Sequence, residues 1–211
     1  MNTKPIYVYD IDDTLLKSIS RTMVKSGCGN HLLFYLTPME LNEYFARGSE
    51  ITRINAYQYN EITKDGEHRI LDCSQFTDLS IMKQGRIIKP IFKQFEKNYR
   101  NGKKVGIITA RSSKQLVLDY FEFLGFPLDP ELVYAINDPK FEHPSTNFAE
   151  RKEACIKELH EKHGFNKIHF YDDDINNLEL AFRMGERLGI KVKPFYVNEQ
   201  HRSADPDLDK E

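Results

Sequence analysis

The stretch Ile6-Tyr7-Val8-Tyr9-Asp10-Ile11-Asp12-Asp13-Thr14 decides the fold class of this chain. Its first four residues are apolar, and their β-branched and aromatic side chains predict a short buried strand. The run ends abruptly at Asp10, and two more aspartates follow within three residues. If the strand belongs to a parallel sheet, these carboxylates lie at the sheet edge where ligands bind.

Four further apolar runs predict strands, and three of them also stop at a polar residue. The runs are Val105–Ile108 before Thr109, Leu132–Ile136 before Asn137, Ile168–Tyr171 before Asp172, and Val192–Val197. Residues with helical periodicity fill the gaps, at about 88–102, 113–125, 147–159 and 177–185. Strands that alternate with such helices predict an α/β fold with a doubly wound, parallel, five-stranded sheet.

Residues 16–85 interrupt this alternation with a different pattern. They contain three β-rich runs and one short helix, at 32–36, 56–62, 68–71 and, capped by Thr37, 38–45. We therefore predict a core made of residues 1–15 and 86–199 and a small α+β cap inserted at 16–85. The insert leaves directly after the first aspartates, so we expect it to cover the carboxyl edge of the sheet. Residues 200–211 are rich in acidic side chains, and we predict a flexible tail there.

Composition excludes several classes of protein. The 211 residues include 30 Lys and Arg against 32 Asp and Glu, so the net charge of −2 gives no sign of a broad nucleic-acid surface. No stretch approaches the roughly 20 apolar residues that cross a bilayer, so we expect no membrane association. The short polar N-terminus leaves no room for a signal peptide, and we expect a cytoplasmic protein.

The aspartates predict a metal site. Asp10, Asp12 and Asp13 follow the first strand, and Asp172–Asp174 follow the fourth. Six carboxylates facing one crevice repel each other strongly unless a cation lies among them. Because the ligands are oxygens with no His or Cys nearby, a hard ion is favoured, and Mg²⁺ is the first choice.

These residues also resemble a known family. The Asp-x-Asp-x-Thr after the first strand, Thr109 after the second, a helical lysine and the Asp-Asp pair after the fourth are similar to the four motifs of the haloacid dehalogenase (HAD) superfamily, which consists largely of phosphohydrolases. The motifs span Asp10 to Asn177, most of the chain. The Leu-Thr-Pro-Met-Glu-Leu stretch from Leu36 and the Ile-Ile-Thr-Ala-Arg stretch from Ile107 look like those of small phage-encoded members.

The resemblance implies roles for individual residues. By it, Asp10 is the nucleophile that forms an aspartyl-phosphate, and Asp12 is the acid and base. Thr109 would bind a phosphoryl oxygen. Mg²⁺ would be held by Asp10, by the main-chain carbonyl of Asp12 and by Asp173, with Asp172 close by.

Two departures from the family pattern concern the fourth motif. Asp172 stands where the family form often has Gly, and Asn177 stands in place of a second acid. We rank Asp173 above Asp172 as a direct ligand, although the sequence does not separate the two. Asn177 and Thr14 are candidates for contacts to the substrate or to the metal ligands.

Helix geometry selects the lysine. Lys152 lies four residues from both Phe148 and Ile156, on the stripe that faces the sheet. Lys157 is flanked at the same spacing by Glu153 and Glu161, on the solvent face. Lys152 is therefore the candidate that balances the charge of a phosphoryl group.

The sequence leaves three other residues or pairs open. Arg111 could reach the substrate or simply pair with an acid. Tyr57 and Tyr59 could stack on a base, although packing inside the insert is favoured. His169 alternates within a buried strand, which favours a packed core histidine.

These observations predict a Mg²⁺-dependent phosphatase that acts on a small phosphate monoester, with a nucleotide as one candidate. Between residues 20 and 88 basic and acidic side chains balance at eight each, so no basic track for a polynucleotide is evident. Two alternatives stay open: a phosphatase that processes polynucleotide ends, and a non-catalytic module that binds phosphoryl groups. The sequence does not predict the oligomeric state.

Overall fold

The computed structural model describes residues 3–27, 31–45, 47–55, 57–145 and 147–198. The predicted tail at 200–211 lies outside these residues. The strands are β1 (Pro5–Tyr9), β2 (Leu16–Lys17), β3 (Thr22–Ser26), β4 (Leu32–Leu36), β5 (Glu50–Arg53), β6 (Gln58–Ile62), β7 (His68–Asp72), β8 (Arg86–Ile87), β9 (Val105–Thr109), β10 (Val133–Ala135), β11 (Lys167–Asp172) and β12 (Lys191–Tyr196). The α-helices are α1 (Pro38–Phe45), α2 (Leu79–Gln84), α3 (Lys89–Arg100), α4 (Lys114–Phe123), α5 (Phe148–Glu161) and α6 (Ile175–Leu188).

Five parallel strands form the central sheet, in the order β10-β9-β1-β11-β12. The predicted five-stranded parallel sheet is thus confirmed. Counting only these five strands along the chain, the order is 3-2-1-4-5, which is compatible with a Rossmann-like fold. In this order the direction of winding reverses beside β1.

Helices cover both faces of the sheet, and alternate residues of β1 pack against the helices on opposite faces. Ile6 and Val8 are fully buried in a core that includes Ile156 of α5. Tyr9 faces the core on the other side of the sheet, where its ring centre lies 5.5 Å from that of Phe95 on α3. Because successive side chains alternate across a strand, a sheet covered on both faces requires the continuous apolar run seen here.

Polar caps set the helix boundaries. The side chain of Ser113 accepts a hydrogen bond at the start of α4, and that of Asn147 accepts two at the start of α5. The fourth predicted helix is longer than the range 177–185. It begins at Ile175 because Asp174 caps it, and it ends at Leu188, where Gly189 adopts a φ of 67°.

The insert forms a second, antiparallel sheet with the order β4-β3-β7-β6-β5. The sequence did not predict β3 and β5, whose residues are of mixed polarity. β3 pairs with β4 and with the distant β7, and β5 forms a hairpin with β6. The short strands β2 and β8 pair with each other at the two ends of the insert. The chain therefore leaves and re-enters the core at one place, directly after the first aspartates.

Candidate functional site

The candidate site lies where β1 and β11 end side by side. These neighbouring parallel strands run from Pro5 opposite Lys167 to Tyr9 opposite Tyr171, and the amide of Asp10 donates to the carbonyl of Tyr171 at 2.9 Å. The winding of the sheet reverses at this point, and in open parallel sheets ligands bind in the crevice outside such a position. The topology therefore brings the two aspartate-rich segments together.

Three carboxylates meet at this crevice. Oxygen atoms of Asp10, Asp172 and Asp173 all lie within 4.8 Å of one another. Asp10 and Asp172 are buried, and Asp173 is half-buried. Burial raises the pKa of Asp10 well above its usual range, and the charges of Asp172 and Asp173 raise it further, although Lys152 opposes them.

Lys152 supplies a positive charge to this cluster. Its Nζ lies 2.8 Å from an Asp172 oxygen and 3.2 Å from an Asp10 oxygen, and only 3% of the residue is exposed. Burial by itself lowers the pKa of Lys152, but Asp10 and Asp172 outweigh it and raise the pKa. With all groups ionised, three carboxylates and one ammonium leave a formal charge of −2, which a divalent cation would neutralise.

Asp172 and Asp173 differ in their surroundings. One Asp172 oxygen accepts from Lys152, and the other accepts from Asn177 Nδ2 at 2.8 Å and from the amide of Asp174 at 2.9 Å. Both Asp172 oxygens are thus engaged by donors of the protein. Asp173 accepts from the Thr14 hydroxyl at a long 3.4 Å. Asp173 is half-buried and lines the open space beside these strand ends, whereas Asp172 is fully buried, which favours Asp173 as the direct metal ligand; this assignment stays a prediction.

Asp12 does not join the carboxylate cluster, because its side chain binds Arg111. The guanidinium donates from Nε at 3.1 Å and from Nη2 at 2.8 Å, one bond to each Asp12 oxygen. Arg111 is fully buried, and it also donates to the carbonyl of Phe76 and to the hydroxyl of Ser18, both in the insert. The sequence left open whether Arg111 reaches the substrate or pairs with an acid, and in the structure it pairs with an acid. The predicted metal contact of Asp12 concerned its main-chain carbonyl and stays a prediction.

Thr109 ends β9 next to this loop. It is fully buried, and its hydroxyl accepts from the amide of Arg111 at 3.3 Å. Its predicted contact to a phosphoryl oxygen is not tested by this arrangement. Ser112, which the sequence analysis did not consider, lines the cavity at the aspartates. Its position in the sequence, three residues after Thr109, is the feature that could have identified it as a candidate site residue.

The aspartates open into a small cavity between the two sheets. Its volume is about 70 Å³, which is enough for several water molecules, since about 10–15 Å³ holds one. Core residues on its wall include Asp10, Asp173 and Lys152. The insert contributes Pro38, Leu41, Tyr59, Cys73 and Phe76. Residues of the insert therefore lie over the aspartates.

A larger groove of about 1390 Å³ adjoins this cavity. The cavity and the groove share Tyr59, Asn137, Phe148, Asp173 and Asp174. Tyr59 packs against the apolar core of the insert, and it also borders both spaces. His169 is a packed core residue, as expected, because it stacks on Tyr7 with a ring separation of 4.5 Å.

Sequence reasoning missed Arg151, which also lines the groove. Arg151 is buried on α5 beside Lys152, and it lies four positions before the buried Cys155. That spacing places Arg151 on the apolar stripe of the helix, which was the available signal.

Comparison with known proteins identifies no relative. No family model, no curated protein and no solved structure matches this chain. Among the helices of the described residues, none combines the length and the apolar content that crossing a membrane requires.

Proposed function

We propose that this protein is a Mg²⁺-dependent phosphohydrolase that cleaves a small phosphate monoester through an aspartyl-phosphate on Asp10. One observation carries the proposal. The buried Asp10 carboxylate contacts Lys152 and lies close to Asp172 and Asp173, at the switch point of the sheet, where its winding reverses. The HAD-like order of motifs in the sequence supports the same function.

The residues present fit Mg²⁺. All three side-chain donors are carboxylate oxygens, and their residual negative charge matches a divalent cation. Asp10 and Asp173 would hold the ion, with Asp172 oriented by Asn177 and Lys152 beside them. When bound, Mg²⁺ would stabilise negative charge on a phosphoryl group and keep Asp10 ionised.

Asp10 is placed to act as the nucleophile. An ionised oxygen of Asp10 attacks phosphorus, the bond to the leaving oxygen breaks, and the phosphoryl group is transferred to the carboxylate. Lys152, which lies 3.2 Å from Asp10, provides positive charge next to the phosphoryl oxygens. Water then attacks phosphorus and releases inorganic phosphate, which restores the carboxylate.

Asp12 is the candidate for both proton transfers. Both oxygens of Asp12 accept from Arg111, which holds the carboxylate in place to remove a proton from the attacking water. To protonate the leaving oxygen, Asp12 must first carry a proton and release one bond to Arg111. Arg111 also binds Phe76 and Ser18 of the insert, so movement of the insert would affect this pair.

The groove favours a small substrate over a polynucleotide. It carries three arginines against five acidic residues, namely Arg53, Arg151 and Arg183 against Glu43, Glu142, Asp173, Asp174 and Glu179. Affinity for a polynucleotide rests on a positive track along its phosphates, and this groove offers none. The alternative of a non-catalytic module is disfavoured because Asp10 and Asp12 are both present.

The direct test is a hydrolysis screen with purified protein. Phosphorylated metabolites, nucleotides and oligonucleotides with 3′ or 5′ phosphate are assayed for phosphate release with Mg²⁺ and with EDTA. We expect Mg²⁺-dependent release from small monoesters, and no release by Asp10→Asn, whose amide cannot attack phosphorus. Release that persists unchanged in EDTA or in Asp10→Asn contradicts the proposal, as does a complete lack of hydrolysis across the screen.

A further inference from the structure

We infer that Arg151, together with Arg53, binds a second anionic group of the substrate, separate from the phosphoryl group that reacts. The substrate would then be a phosphate monoester that also carries another phosphate or a carboxylate. The identity of the ligand as substrate rests on the proposed function, whereas the anion site itself rests on the groove.

Arg151 is a buried cation that the described residues leave without a counter-charge. Only 6% of the residue is exposed. Its guanidinium donates to Asn137 Oδ1 at 2.7 Å and to the carbonyl of Phe141 at 3.4 Å, both neutral acceptors. Its Nε has no hydrogen-bond partner, and no described carboxylate lies within ion-pair distance of it. A buried charge in this condition is unfavourable, and an anionic ligand would relieve it.

Arg53 brings a second guanidinium to the same place. Its Nη2 donates to the main-chain carbonyl of Asn137, whose side chain accepts from Arg151. Asn137 thus contacts two arginines from different parts of the molecule, Arg53 at the end of β5 in the insert and Arg151 on α5 of the core. Burial lowers the pKa of Arg151, and the charge of Arg53 lowers it further, so the two cations disfavour each other. Two guanidiniums that converge in this way suit a phosphate or a carboxylate, which can accept from both.

The two arginines lie next to the reacting site. Asn137 lines both the small cavity and the groove, and its side-chain amide donates to the carbonyl of Ala110, next to Thr109. Arg151 also precedes Lys152 in the sequence. A molecule whose phosphoryl group occupies the cavity would therefore pass Asn137 on its way into the groove.

The acidic residues of the groove confine this anion site. Glu43, Glu142 and Glu179 line the same groove, so the positive charge does not extend along it. Arg183, also in the groove, is exposed and pairs with Glu179 at 3.4 Å, so unlike Arg151 it already has an acidic partner. This arrangement fits one local anionic group and makes Arg183 a matched control.

Binding is tested without turnover by titrating sulfate into the Mg²⁺-free protein at constant ionic strength. The readout is the Nε–H resonance of Arg151 in ¹H–¹⁵N spectra, assigned by its loss in Arg151→Lys. We expect a saturable shift of this resonance in the wild type and in Arg183→Gln, and weaker saturation in Arg53→Gln. No saturable shift of Arg151 up to about 100 mM sulfate overturns the site.

Substrate class is tested with matched phosphate esters in the presence of Mg²⁺. The pairs are 3-phosphoglycerate against glycerol 3-phosphate, and adenosine 3′,5′-bisphosphate against adenosine 5′-monophosphate. We expect at least one pair to favour the additional anion in kcat/KM by about ten- to a hundred-fold, since hydrogen bonds to charged groups have this strength. This preference should disappear in Arg151→Gln and persist in Arg183→Gln. The inference is overturned if the preference does not depend on Arg151, or if no pair shows a preference. A saturable sulfate shift of Arg151 without hydrolysis of any ester refutes the proposed function alone.

Discussion

Replacing Lys152 by methionine should destabilise the protein strongly, because it leaves buried carboxylates unbalanced. The ammonium lies 2.8 Å from Asp172 and 3.2 Å from Asp10, and both partners are almost fully buried. Breaking a buried pair by removing one partner costs about 3–5 kcal/mol. For a chain of this length each kcal/mol lowers the melting temperature by about 2–4 °C, so we expect a fall of roughly 6–20 °C.

Lys157 provides the matched control on the same helix. Its Nζ lies 3.8 Å from Glu161, and both side chains are about half exposed. Lys157→Met should therefore cost at most about 1 kcal/mol. Both variants are compared with the wild type by urea unfolding in EDTA, followed by circular dichroism.

A second step separates the charge effect from packing. In the double variant with Lys152→Met and Asp172→Asn, one of the unbalanced charges is gone, and part of the lost stability should return. Mg²⁺ should also stabilise Lys152→Met, since the cation replaces the missing positive charge. If Lys152→Met is no less stable than Lys157→Met in EDTA, the charge balance inferred for this cluster is wrong.

Three further predictions concern the metal, the proton transfers and pH. Measured by calorimetry, Asp173→Asn should weaken Mg²⁺ binding more than Asp172→Asn does. For Asp172→Asn we expect a loss of affinity of about 10–100-fold, because Asp172 is held by protein donors. Equal losses or the reverse order would contradict the assignment of Asp173 as the direct ligand. Asp12→Asn should slow hydrolysis by roughly 10²–10⁴-fold, measured as kcat at saturating Mg²⁺, and an unchanged kcat would remove Asp12 from proton transfer. Burial, and after it the charges of neighbouring lysines, lower the pKa of His169 to about 4. The same histidine in the unfolded chain takes up its proton at a higher pH, near 6.5. The free energy of unfolding should therefore fall as the pH drops from about 6.5 to 4. Because salt screens the lysines, we expect the contribution of His169 to be about 1–2 kcal/mol, and His169→Phe should flatten this part of the profile of unfolding free energy against pH.

The central sheet was predictable because its signals are local. Each core strand is a short apolar run, and a buried strand on either side of the switch point ends at an aspartate. The sheet of the insert was harder, because the residues of β3 and β5 are of mixed polarity and become strands through their partners, β3 with the distant β7 and β5 with the neighbouring β6. Local propensity carries little information about such pairing.

Within the site, the sequence indicated the two strand ends at which Asp10, Asp172 and Asp173 meet, but not how each side chain is held. Asp172 and Asp173 are neighbours, so composition treats them alike. In the structure β11 continues through Asp172, which is fully buried against Lys152, whereas Asp173 lies one residue beyond the strand. The pairing of Asp12 with Arg111 joins residues 99 positions apart and has no local signal.

The most direct test of the proposed reaction is chemical trapping of a phosphorylated Asp10. The protein is mixed with Mg²⁺ and a hydrolysed monoester, quenched in acid and treated with borohydride, which reduces an aspartyl-phosphate to homoserine. Peptide mass spectrometry should then find homoserine at position 10 in the wild type, and none with EDTA or in Asp10→Asn. Continued hydrolysis with an unmodified Asp10, or with homoserine at Asp12 or Asp173 instead, would contradict Asp10 as the nucleophile.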